Sequence, residues 1–145
     1  MKPWLLRGIA LAVLMVAVRC VLGWGITTFP TVGTPQRFAA VAVVIAVAMV
    51  FGGYDGLIDA RRYPDADKGV DLTSRWFKSA LFAGVVSGAV CWAVGTWLLP
   101  GIGQGSLPFE LVIGACFTTL LIVIPASIGT VTGRRLATRN AVPAG

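Results

Sequence analysis

Five ionisable side chains sit inside or at the rims of apolar runs: Arg7, Arg19, Asp55, Asp59 and Glu110. Charges near hydrocarbon are costly, and they commonly mark either a solute pathway or a helix pair. Asp55 and Asp59 are spaced i, i+4 and share one helix face, with Arg62 a turn beyond. Arg7 has a similar depth in the preceding run, so an Arg7–Asp55 pair between helices is expected. Toward the opposite end, Arg19 lies about 7 Å past the middle of its run, at about 1.5 Å per residue. From there its long side chain could snorkel toward Glu110, which opens the last run. Two chemistries fit the set. One is ion pairing that orients helices, the commoner use of such residues. The other is a polar route with Arg19 and Glu110 near one mouth and Asp55 near the other.

Other chemistries find little support. The chain has no histidine, and its six carboxylates mostly gather in a loop without a partner base, so general acid–base catalysis is not expected and the protein reads as a non-enzyme. Cys20, Cys91 and Cys116 all fall within apolar runs and form no CxxC pair. They read as buried, unpaired thiols, and zinc or haem would be short of ligands. The spacing Asp65-x-Asp67-x-Gly69-x-Asp71 faintly resembles a calcium loop, but it lacks the bidentate glutamate and carries Lys68 in its middle. A solvated turn with Asp71 as N-cap of the next helix is the expected reading. No metal and no cofactor is anticipated.

The elements that must position these residues are four apolar runs, at about residues 5–24, 38–57, 77–99 and 109–132. Each has about the 20 residues a helix needs to cross the hydrocarbon. With 57% hydrophobic and 12% charged residues in 145, the chain has too little polar surface for a soluble domain. The expected fold is an all-α membrane protein, a single-domain four-transmembrane-helix bundle with a charged loop over residues 58–75. The net charge of +6 does not point to nucleic acid, because it lies at the ends of the spans. Ten basic residues flank one side (Lys2, Arg7, Arg61, Arg62, Lys68, Arg75, Lys78, Arg134, Arg135 and Arg139), while the opposite connections hold only Arg37. That bias predicts both termini in the cytoplasm and a multi-pass protein of the bacterial plasma membrane. Trp4 and Trp76 are expected at the inner interface, Trp24 and Trp97 at the outer. The first run follows Lys2 and Arg7 but lacks a small-x-small cleavage site, so it reads as a retained helix.

The first connection, residues 25–37, is short and rich in Thr, Pro and Gly; the third, residues 100–108, is turn-rich and uncharged. The tail, residues 141–145, is expected to fray. Within the third run, Ala80, Gly84 and Gly88 recur every four residues, with Ser87, Cys91 and Gly95 close by. Small residues at this spacing let helix backbones approach, within the chain or in an oligomer. In the fourth run, Pro125 predicts a kink that strands the Leu121 carbonyl. The two halves echo each other: each ends in Gly-x-x-x-Gly and an arginine pair, Gly52, Gly56, Arg61 and Arg62 against Gly129, Gly133, Arg134 and Arg135. Such a repeat would be parallel.

Residues 51–60 (FGGYDGLIDA), 63–67 (YPDAD), 71–76 (DLTSRW) and 82–92 (FAGVVSGAVCW) resemble a group of small actinobacterial proteins classed as bacterial four-helix drug/metabolite transporters. The similarity spans nearly the whole chain. It implies a mycobacterial-type plasma membrane and transport of a small metabolite or drug-like solute. The small multidrug resistance proteins are similar in size, but they rely on a glutamate in the first helix, where this chain has Arg19 and no acid. They also often insert in both orientations, which the basic bias here opposes. Proton-coupled export of cations by that mechanism is therefore not expected; Arg19 would favour an anionic or neutral solute. The expectation is a small transporter, as a homo-oligomer in the lipid bilayer. The alternative is a non-catalytic accessory or assembly subunit of a larger envelope complex, docking through the third-run glycines.

Overall fold

The computed structural model describes residues 3–63, 69–98 and 106–141. Helix α1 spans Pro3–Thr28, and a 3-10 turn at Pro30–Val32 leads into α2, Gly33–Arg62. Helix α3 spans Leu72–Trp97. Helix α4 opens at Leu107–Phe109, passes through a π-helical stretch at Glu110–Gly114 and continues over Ala115–Ala141. Among the described residues there are four helices long and apolar enough to cross a membrane, and no strand. In hydrocarbon, backbone N–H and C=O groups must be satisfied internally, which favours helix over these runs.

The helices outrun the apolar stretches. Thr28 places its hydroxyl 2.8 Å from the Trp24 carbonyl and the Phe29 N–H reaches Gly25 at 2.8 Å, so α1 runs on into the expected first connection, and α2 takes up its other end from Gly33. Pro30 then sits at the start of the turn, where its missing N–H costs nothing. Helix α4 is unbroken through Pro125, and an irregular stretch precedes it at Glu110–Gly114. The charged loop's residues 64–68, most of the third connection (residues 99–105) and the tail from residue 142 lie outside the described residues, as does Lys2.

Packing does not follow chain order. The closest contacts join α2 to α4, α1 to α3 and α3 to α4, whereas α1 and α2 touch more sparsely. The bundle therefore reads α1–α3–α4–α2 around its axis. Two parallel pairs, α1/α3 and α2/α4, face each other, and the ends of all helices that carry the basic residues lie together.

The α2–α4 seam explains the paired Gly-x-x-x-Gly motifs. A Cβ on Gly52 or Gly56 would fall on the carbonyls of Ala126 and Thr130; one on Gly129 or Gly133 would fall on those of Met49 and Gly53. The relation is reciprocal. Each glycine meets the residue three before its counterpart, as two halves related by a parallel two-fold would. Gly84 and Gly88 serve the α3–α4 contact: a Cβ at Gly84 would lie 2.7 Å from the Ala115 carbonyl, and one at Gly88 3.0 Å from that of Glu110. Ala80, in the same row, is fully buried in the core. Phe82 meets α1, taking the space over Gly8 and stacking edge-on with Trp4 at 6.3 Å between ring centroids.

The core is made of Leu11, Met15, Val44, Ala48, Ile122 and Ala126, among others. The outer face is rich in exposed Val, Leu, Ile and Phe, as a lipid-facing surface requires. Two expectations need correction. Trp76 does not face the surroundings as an interface tryptophan would; it is 2% exposed and fills the bundle at the basic end, because the row it shares with Ala80 and Ala83 faces inward. Cys116 is exposed on the outer face and Cys20 half-buried, so only Cys91 is a buried thiol.

Candidate functional site

The ionisable residues occur at two levels. At the basic end, an Arg7 Nη lies 2.6 Å from Asp55 Oδ1, joining α1 to α2. One turn further along α2, Asp59 is held by Arg134 of α4 and accepts the Val70 N–H at 3.1 Å. Both carboxylates are buried, while the arginines remain about a quarter exposed. Each guanidinium thus keeps contact with its surroundings while its carboxylate is enclosed. Asp59 ties α2 to α4 and to the segment entering α3, so one residue fixes three elements.

At the other level, Arg19 Nη1 donates to Glu110 Oε2 at 3.1 Å. This pair links α1 to α4, helices that otherwise pack far less closely than their neighbours. Glu110 begins the π-helical stretch, and Gly114 leaves room beneath the pair: a Cβ there would stand 3.0 Å from Glu110 Oε2. Such stretches often occur at functional sites because they re-aim a side chain by a fraction of a turn.

Between the two levels lies the apolar core, so the pairs are separate clusters. Two polar side chains in that layer bond their own helices, while the buried Thr118 hydroxyl has no partner among the described residues. Ser87 bonds the Gly84 carbonyl at 3.2 Å, and Thr119 that of Ala115 at 2.7 Å. Asp71 stands apart at the head of α3, where it accepts the Ser74 N–H at 3.0 Å. That bond, with smaller contributions from Thr73 and Lys78, holds its carboxyl below the usual aspartate value. Among the described residues, no three His, Cys, Asp or Glu side chains come together as a metal site.

One concavity among the described residues is lateral. Where α1 and α2 part toward the Arg37 end, a groove of about 560 Å³ opens between Val21 and Trp24 on one side and Ala40 and Val43 on the other. Phe29 and Gln36 also line it, and the Gln36 side-chain oxygen is buried without a partner. Gly25 faces that amide, where a Cβ would stand 3.2 Å from the oxygen.

Arg7 meets Asp55 and Arg19 meets Glu110. Asp59 does not use Arg62, which is exposed. Its partner is Arg134, counted in the sequence only as a flanking charge. The available signal was depth: both stand near the basic ends of their helices. The Gln36 groove had no sequence signal, since it arises from the wide spacing of α1 and α2. No protein-family model matches this chain, and none of the curated proteins matches it either.

Proposed function

We propose that this chain is a multi-pass plasma-membrane protein, with both termini cytoplasmic, that transports a small and mainly apolar solute as a homo-oligomer. The supporting observation is the α1–α2 groove. Its volume of about 560 Å³ lies within the range of about 300–1,000 Å³ for small-molecule sites, and such sites are mostly apolar with a few placed polar groups. Gln36 is the placed group. Its unpaired oxygen selects a solute with an apolar body and a hydrogen-bond donor. The groove lies at the most loosely packed of the four neighbouring helix pairs around the bundle, the one that parts at least cost in contacts.

The closed interior supports a homo-oligomer. The apolar core between the two ion-pair levels leaves the side of a single copy as the way in, so a second copy is needed to wall the route. Charge bias supports the orientation, and the resemblance of residues 51–60 and 71–76 to four-helix transporters supports the class. Arg19 already neutralises Glu110, so cation export through an open carboxylate is not part of the reading.

The test is uptake of neutral, single-donor lipophilic dyes into proteoliposomes. Ala40→Phe, which fills the groove, should abolish uptake, and Ile124→Phe on the exposed face of α4 should not. Unchanged uptake by Ala40→Phe would overturn the reading. The accessory-subunit reading gains from the pairing, among the described residues, of all three buried or half-buried carboxylates within the chain. It loses its docking row, because Gly84 and Gly88 are covered by α4. Native mass spectrometry separates the two: a homo-oligomer with bound small molecules supports transport, and a stoichiometric assembly with other chains supports the accessory role.

A further inference from the structure

A second groove, of about 410 Å³, opens nearer the basic end between α1 and α2, with the Trp76 ring of α3 among its walls. Two of its lining residues carry buried donors with no acceptor, an Arg7 terminal nitrogen (Nη1) and the Trp76 indole nitrogen (Nε1). Trp76 is more than nine-tenths buried, so water does not supply the missing acceptor from bulk. The other Arg7 terminal nitrogen is held on Asp55, which fixes the guanidinium plane. Asp55 is also more than nine-tenths buried, with Oδ2 unpaired.

We propose that this groove is a binding site for an anionic phospholipid, whose phosphate accepts from Arg7 and Trp76. Two unpaired donors call for an acceptor with several oxygens, and a fixed guanidinium suits phosphate geometry. Asp55 would oppose an anion, but its charge is matched by Arg7. Arg75 and Lys78, within two residues of Trp76 in α3, add positive charge at this end of the bundle, though neither lines the groove. The remaining walls are apolar, with Ala10, Leu14, Val47 and Phe51 running from Arg7 toward the core. A ligand that fits both ends has a phosphate head and a hydrocarbon chain, which selects a lipid over a free phosphate. The lateral opening admits it from the bilayer. This site is independent of the solute groove and stands whether or not the protein transports.

Native mass spectrometry of the full chain, taken from mixed vesicles of phosphatidylglycerol and phosphatidylcholine, tests the proposal. The unaltered protein should retain one phosphatidylglycerol about tenfold over phosphatidylcholine, and Trp76→Phe, which removes the indole donor and keeps an aromatic ring, should lose about tenfold in retention, the scale of one hydrogen bond to a charged group. Arg7→Lys keeps a cation beside Asp55 but removes the second terminal nitrogen, and it should show a comparable loss. Far-UV circular dichroism establishes that each variant is helical. Equal retention of the two lipids overturns the proposal, as does either folded variant behaving like the unaltered chain. Displacement of the lipid by millimolar inorganic phosphate would also overturn it, by showing that the head alone is bound.

Discussion

The Arg134 guanidinium of α4 closes on the Asp59 carboxylate of α2. The pair forms at the end of the glycine seam, one residue after Gly133, whose lack of a side chain brings the two backbones together. Close packing and charge pairing therefore reinforce each other along one interface.

Removing one partner of a buried pair strands the other charge. Asp59→Asn should lower stability by about 2–4 kcal/mol, below the largest values for enclosed pairs because Arg134 keeps some exposure. Adding Arg134→Gln should restore part of the loss, with a coupling of at least about 1 kcal/mol. Thermal unfolding in mild detergent, followed by circular dichroism, reads both; strict additivity would show that the contact carries no energy.

Neighbouring glycines on α2 should respond oppositely. Gly52→Ala and Gly56→Ala drive a methyl into the backbone of α4, and each should cost about 1–3 kcal/mol. Gly53→Ala places its Cβ 3.5 Å from the Gly129 carbonyl, an ordinary contact, and should be neutral or stabilising by up to about 1 kcal/mol through reduced unfolded-state freedom. Melting temperatures of the three variants decide the matter.

At the Arg37 end, Arg19→Leu leaves the half-buried Glu110 unpaired and should reduce accumulation in the membrane. Arg19→Leu combined with Glu110→Leu should restore accumulation, since replacing a whole buried pair by apolar groups is often tolerated. Dye uptake should recover with it if the solute uses the lateral groove. Full accumulation without uptake would instead assign the pair to a polar route.

Asp71 predicts a pH effect. Its folded-state pKa lies below the ordinary value, so its charged form favours the folded state. Its contribution is complete above the unfolded-state pKa and is lost as pH falls through the lower folded-state value. Asp71→Asn, which keeps a capping oxygen, should flatten the acid limb of the stability profile. Asp71→Ala should flatten it and also lower stability at neutral pH, as read by melting temperature against pH.

Hydropathy and helix rise determined the helices and the level of each charge along them. That is why Arg7–Asp55 and Arg19–Glu110 were legible from residue numbers alone, and why Asp71 was recognisable as a cap. What the chain order does not contain is rotation about each helix axis and the choice of lateral neighbour. Those depend on which rows of small residues let backbones touch, and such rows occur on α2, α3 and α4 alike. Only the tertiary structure showed that Gly52 and Gly56 meet the Gly129 row, that Asp59 consequently faces Arg134, and that Trp76 turns inward. It also decided that α1 and α2, joined by the shortest described link, pack sparsely. The grooves lie along that sparse contact.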